Sequence, residues 1–136
     1  MLAHPLVLGG GPACADFLPL ATFMDAVAVG DGEELFAEIL QVLVRAKAEG
    51  VSRAVTKERL SRLDGVYVPG ISREATRRVI GSLRRAPYPD ACLVPLTAGV
   101  HDRAWIEVMR GCTRGCRFCQ AGMWYRPVRE RTPDEV

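Results

Sequence analysis

Three cysteines, Cys112, Cys116 and Cys119, fall within eight residues of one another in a chain of 136. Their C-x3-C-x2-C spacing lets three thiolates converge on one metal centre without help from distant chain. Thiolates are soft ligands, suited to iron–sulfur clusters or to zinc. Structural zinc takes four protein ligands, often as two C-x2-C pairs, and no second pair is present. Cys92 or His101 could supply a fourth ligand, but neither has zinc-finger spacing. A cubane held by three cysteines leaves one iron open to a substrate or cofactor, which suits chemistry. Gly111 and Gly115 let the loop turn tightly and bring backbone N–H groups near the sulfurs, where such hydrogen bonds tune a cluster. The arginines of the loop would offset the negative charge of a thiolate-bound cluster.

Other residues carry weaker signals. Gly9-Gly10-Gly11-Pro12 closes a short apolar run and is either a ligand-facing loop or a tight turn after a strand. Cys14 and Cys92 stand apart and read as small buried hydrophobes. Five cysteines is an odd number, which argues against a secreted disulfide framework. His101-Asp102 reads as a structural pair at a strand start. Trp124 and Tyr125 read as packing residues, and Arg126 and Arg129 could meet cofactor carboxylates or phosphates.

The elements that must position these residues alternate in an α/β pattern. Pro5-Leu6-Val7-Leu8 and Ala26-Val27-Ala28-Val29 are brief apolar runs bounded by glycines, as buried parallel strands are. A helix is expected from Asp31 to Gly50. Asp31 is a good N-cap, and Glu34 stands three residues on as in a capping box. Leu35, Phe36, Ile39, Leu40 and Leu43 form its apolar stripe. Acids lead and Arg45 and Lys47 follow, in keeping with the helix dipole, and Gly50 closes the helix. Thr56 to Leu63 suits a short helix, and Gly65 to Gly70 holds a short strand between breakers. Residues 73–83 fit a helix or a strand edge equally. Ala86 to Asp90 is an extended link, since a residue before proline is pushed out of the helical region. Ala104 to Met109 has the β-branched and aromatic content of a strand leading into the cysteine loop. Thr132-Pro133-Asp134-Glu135 starts a helix, with an N-cap, a proline at N1 and a glutamate at N3. The chain stops one residue later and so reads as cut short.

Composition bounds the function classes. Apolar residues are 49% and charged residues 25%, as in a folded globular protein. Glycine and proline together are 22 of 136 residues, too few for a low-complexity chain. No apolar run approaches the ~18 residues of a membrane span, and within Met1 to Ala15 no Lys or Arg precedes the apolar run as the n-region of a signal peptide requires. A cytoplasmic location is expected. The formal charge is +2, with −5 in residues 1–50, +5 in 51–100 and +2 in 101–136, which makes nucleic acid an unlikely partner. Sixteen of the eighteen cations are arginine, the better bidentate binder of phosphate and carboxylate.

The run from Glu107 through Cys119 resembles the cluster loop of radical S-adenosylmethionine enzymes, in which a C-x3-C-x-aromatic-C loop follows the first strand of a barrel. Phe118 fills the aromatic position. The continuation from Gln120 to Arg129 resembles a subgroup with an N-terminal cobalamin-binding-type domain. In that subgroup's terms, Gly9-Gly10-Gly11-Pro12 resembles the late Gly-Gly element of a Rossmann-like domain. Gly30-Asp31-Gly32-Glu33-Glu34 resembles the turn that opens its last helix. The cobalt-ligating Asp-x-His-x-x-Gly motif is absent, which leaves cobalamin a doubtful ligand.

The resemblance implies a three-part plan. Residues 1–50 would be the C-terminal part of a Rossmann-like domain, 51–100 a connecting region, and 101–136 the first barrel strand with its cluster loop. The chain would then be the middle of a longer enzyme. It implies a [4Fe-4S] cluster on Cys112, Cys116 and Cys119, with Gly9, Gly10 and Phe118 facing small-molecule cofactors. The cluster would reduce bound S-adenosylmethionine to give a 5′-deoxyadenosyl radical that acts on an unknown substrate. The rival reading is a non-catalytic fragment that binds an iron–sulfur cluster or zinc through the same cysteines.

Overall fold

The computed structural model describes residues 4–84, 86–89, 91, 96–97 and 105–136. The chain divides into two compact units, Met1–Ile80 and Gly81–Val136.

The first unit is a small three-stranded sheet with two helices. β1 (Leu8–Gly9) runs parallel to β2 (Ala26–Ala28), pairing Leu8 with Ala26 and Gly9 with Val27. β3 (Val66–Tyr67) lies antiparallel on the other side of β2, giving the order β1-β2-β3. Short 3-10 turns over Pro12–Asp16 and Leu18–Phe23 connect β1 to β2. The mixed helix and sheet composition agrees with the α/β expectation. The strands are shorter than the apolar runs suggested: β1 begins only at Leu8 and takes in Gly9, and β2 stops at Ala28.

α1 (Gly32–Ala48) packs one side into the core. Leu35 and Ile39 are buried with Ala26, Leu60, Val66 and Val68, and Val42, Leu43 and Leu63 pack around them. Only part of the expected stripe is used: Phe36 and Leu40 are 59% and 43% exposed. The C-terminus matches expectation in detail. Gly50 has φ +64, its N–H donates to the Lys47 carbonyl, and the Val51 N–H donates to Ala46. This is the paired closure of a Schellman motif. The N-terminus does not match. Asp31 is the N-cap residue, but no side-chain capping bond forms. Its buried carboxylate instead accepts the Ile80 N–H at 3.0 Å.

α2 (Arg53–Leu60) begins three residues earlier than the sequence suggested. Ser52 caps it through the Val55 N–H, and it ends at Leu60 rather than Leu63. Residues 73–83 adopt neither helix nor strand. Arg78 makes an isolated parallel bridge to Gly30, donating its N–H to Val29 and accepting from Asp31. Its guanidinium reaches α1, meeting Glu38 at 2.6 Å and Glu34 at 3.3 Å. A buried carboxylate fastens the opposite end of the sheet. Asp25 accepts the Val7 N–H at 2.8 Å and pairs with Arg53 and, at 3.8 Å, with Lys57. Burial pushes the Asp25 carboxyl up, but the Arg53 and Val7 hydrogen bonds and the two cations outweigh it and hold it below its ordinary value.

In the second unit β4 (Met109–Arg110) pairs antiparallel with β5 (Arg129–Glu130). The strand expected over Ala104–Met109 is therefore confined to its end; residues 105–108 lie outside any strand and Ala104 lies outside the described residues. A one-turn helix, α3 (Ala121–Trp124), stands between the strands. The expected helix start at Thr132 is present as a 3-10 turn over Pro133–Glu135 closed by a capping box, with the Glu135 carboxylate accepting the Thr132 N–H at 2.8 Å. Among the described residues, no helix is long and apolar enough to cross a membrane.

Candidate metal centre

The cysteine loop is the excursion between paired strands β4 and β5. Gly111 begins it with φ +101, and a Cβ there would lie 2.7–2.9 Å from Tyr125 O, Pro127 O and Val128 Cα. A residue with a side chain would meet both an unfavourable φ and rigid backbone. Gly111 thus allows the two ends of the excursion to close against each other.

Arg129 consolidates that closure. It is buried to 6% exposure, and its guanidinium donates to Pro127 O at 3.1 Å and Tyr125 O at 3.4 Å. Arg126 donates to Gly122 O at 3.0 Å. Both arginines, suggested by the sequence as contacts for cofactor anions, are thus tied to carbonyls of their own loop. A buried cation whose donors meet carbonyls rigidifies a backbone that has no ladder bonds of its own. Sequence reading missed this role, since an arginine among several in a loop gives no sign of burial.

Within the loop Cys112 and Cys119 are half-buried and Cys116 is exposed, and all three are free thiols. The Arg114 N–H donates to Cys112 Sγ at 3.4 Å, a contact of the kind the glycine-bearing loop was expected to supply. The Cys119 N–H donates to the Cys116 carbonyl at 3.0 Å, turning the chain over Arg117-Phe118. Phe118 is 93% exposed. Buried Gly122 packs beside Cys119: a Cβ there would stand 3.9 Å from the thiol sulfur. Three soft donors in one glycine-bearing loop, with arginines beside them, fit an iron–sulfur cluster or zinc by donor chemistry. In this conformation the thiols do not converge: among the described residues no group of three or more His, Cys, Asp or Glu is arranged to hold a metal ion. Cys92, His101 and Asp102 lie outside the described residues.

The other candidate residues lie in the first unit. Gly9 is the last residue of β1, where a Cβ would meet the end of the flexible Met24 side chain. Gly10 has only ordinary contacts at 3.7–3.8 Å to Ala28, and Gly11 has φ +89 with open space beside it. Cys14 is buried, as expected.

A family model described as radical SAM proteins, N-terminal, matches residues 2–69. An uncharacterized protein of Methanocaldococcus jannaschii is 25% identical over 98% of this chain and 27% of its own length. The chain therefore spans about a quarter of the curated relative it matches. No solved structure matches it.

Proposed function

The chain belongs to the radical SAM proteins, matched through their N-terminal region, and on that premise we propose that its cysteine loop is the iron–sulfur site of a radical S-adenosylmethionine enzyme. The observation that carries the reading is the loop Cys112-x3-Cys116-x-Phe118-Cys119. It lies outside residues 2–69, so the match and the loop are independent supports. When bound, a [4Fe-4S] cluster with one open iron supplies the electron for reductive cleavage of S-adenosylmethionine, and so the means of starting radical chemistry on a substrate.

The chain's own residues have definable tasks. Cys112, Cys116 and Cys119 would each give up a proton and bind as thiolates. The Arg114 N–H steadies the Cys112 sulfur and would lower its electron density, while Arg114 and Arg117 balance the charge. Phe118, exposed to solvent, would cover the cofactor and exclude water. Gly9 and Gly10 would belong to a second small-molecule loop, with Gly10 the residue that leaves room. Cobalamin is a doubtful occupant for want of a cobalt-ligating motif.

The second reading, a non-catalytic fragment that binds a cluster or zinc, uses the same three cysteines. Anaerobic reconstitution with iron and sulfide, followed by low-temperature EPR of the reduced protein with and without S-adenosylmethionine, separates the two. A [4Fe-4S] signal that the cofactor perturbs and Cys116→Ala abolishes supports the enzyme reading. A signal blind to the cofactor supports the fragment reading. Stoichiometric zinc with no cluster overturns the radical assignment.

A further inference from the structure

We propose that the second unit carries a binding site, separate from the cysteine loop, for a flat aromatic ligand bearing one carboxylate or phosphate. The site is a cavity of about 520 Å³ whose lining includes Tyr88, Trp105, Ile106, Glu107, Arg110 and Arg131. That volume falls within the roughly 300–1,000 Å³ of small-molecule pockets. The cysteine excursion leaves β4 after Arg110 and returns to β5 at Arg129. The cavity is lined instead by residues that lead into β4 and follow β5, so the proposal does not rest on the cluster reading.

Arg131 is the anchoring group. Its backbone N–H donates to the Val108 carbonyl at 2.9 Å, which carries the strand pairing past β5. Its side chain is only 4% exposed. A guanidinium offers a fork of N–H donors, yet among the described residues this one makes a single hydrogen bond, to Leu83 O at 2.7 Å. Its other contacts are looser. The Glu107 carboxylate stands 3.9 Å away, and the guanidinium carbon lies 5.1 Å from the centre of the Tyr88 ring. Glu107 is already held by two nitrogens of Arg110, at 2.8 and 3.0 Å. A buried cation short of acceptors is costly, and the cavity that Arg131 lines is where a ligand oxygen can meet its remaining donors.

The walls indicate what the anion is attached to. Tyr88, Trp105 and Ile106 line the cavity, and each is more than half exposed. Two open rings beside an apolar side chain suit the face of another flat ring. The arginine fork suits the paired oxygens of a carboxylate or phosphate. The two acids of the lining do not forbid an anion, because each is already met. Glu107 is held by Arg110. Glu135 accepts the Thr132 N–H at 2.8 Å and pairs with Arg84 at 3.2 Å. The charge short of partners in this cavity is therefore the positive one on Arg131.

Isothermal titration calorimetry of the full chain is the test, with naphthoate and naphthyl phosphate as probes and naphthol as their uncharged counterpart. The three share one ring system, so only the anionic group differs. At least one anion is expected to bind with a sub-millimolar dissociation constant, and naphthol about tenfold more weakly for want of the charge-assisted hydrogen bond. Tight binding of naphthoate alone assigns a carboxylate ligand, and of naphthyl phosphate alone a phosphate ester. Trp105→Ala, at an exposed side chain, should weaken the anion about fivefold with the circular dichroism unchanged. Arg131→Lys, which keeps the charge and loses the fork, should also weaken it about fivefold. The proposal is overturned if neither anion binds more tightly than naphthol, or if binding is indifferent to Trp105→Ala and Arg131→Lys.

Discussion

Removing the carboxylate of Asp25 tests whether the first unit is fastened at its sheet edge. Asp25 is 8% exposed. It holds β1 through the Val7 N–H and α2 through Arg53 and Lys57. Asp25→Ala strands one backbone donor and one guanidinium. Hydrogen bonds involving a charged group are worth about 1.5–3 kcal/mol each. The Arg53 side chain is 36% exposed, so water and the His4 and Pro5 carbonyls recover much of its share. The expected loss is about 2–3 kcal/mol. Asp25→Asn keeps an acceptor for Val7 and the side-chain volume, and is expected to cost about 1–2 kcal/mol. Urea unfolding followed by circular dichroism at 222 nm reads this unit, because α1 and α2 both lie in it. The pH dependence has a definite sign. The folded carboxyl sits below its ordinary value, so its contribution is present above about pH 4 and fades as the pH falls through the lower folded value. Asp25→Asn should therefore flatten the acid side of the stability profile. A loss under about 0.5 kcal/mol for Asp25→Ala, or an unchanged acid limb in Asp25→Asn, would refute the reasoning.

Further expectations concern packing and the loop. Leu35→Ala, at a position with no exposure, should cost about 3–5 kcal/mol, while Phe36→Ala at the exposed neighbour should cost less than about 0.5 kcal/mol in unfolding. Gly30→Ala would place a Cβ 2.1 Å from the Arg78 carbonyl oxygen at φ +114; a loss above about 2 kcal/mol is expected by chemical denaturation. Gly111→Ala should lower the iron bound per chain after reconstitution, measured by iron and sulfide analysis, with the circular dichroism of α1 and α2 retained. Arg129→Met should do the same, through the loss of its bonds to Tyr125 and Pro127.

How much was legible in the sequence depended on whether a signal was local. Gly50 closing α1, and Thr132 with Glu135 forming a capping box, were readable because each needs only a few neighbouring residues. Asp31 and Glu34 carried the same kind of signal and failed, because the Asp31 carboxylate is taken by a backbone N–H from Ile80. Arg78 was invisible as a structural residue for the same reason, its glutamate partners lying on a helix far back in the sequence; Arg129 was invisible although its carbonyl partners are close in sequence, because nothing local marks an arginine as buried. The full apolar stripe of α1 was read as core, but a helix presents to its sheet only the width the sheet can cover. The cysteine triplet was the most readable part of the candidate site, since spacing alone places three thiols in one loop. Their separation in this conformation was not, since nothing in the spacing says whether a loop is closed before its ligand arrives.

The position of Arg78 has a consequence for dissecting the molecule. The family match stops at residue 69, a natural place to cut a shorter piece. Yet the first unit runs to Ile80, and the last residues before that limit belong to no helix or strand. A piece ending at Pro69 would strip the Val29 carbonyl and the Asp31 N–H of their backbone partners. It would also leave the Asp31 carboxylate without Ile80, and Glu34 and Glu38 without their shared cation. The smallest autonomous portion of this region is therefore set by where its hydrogen bonds are completed, eleven residues beyond the edge that sequence similarity draws.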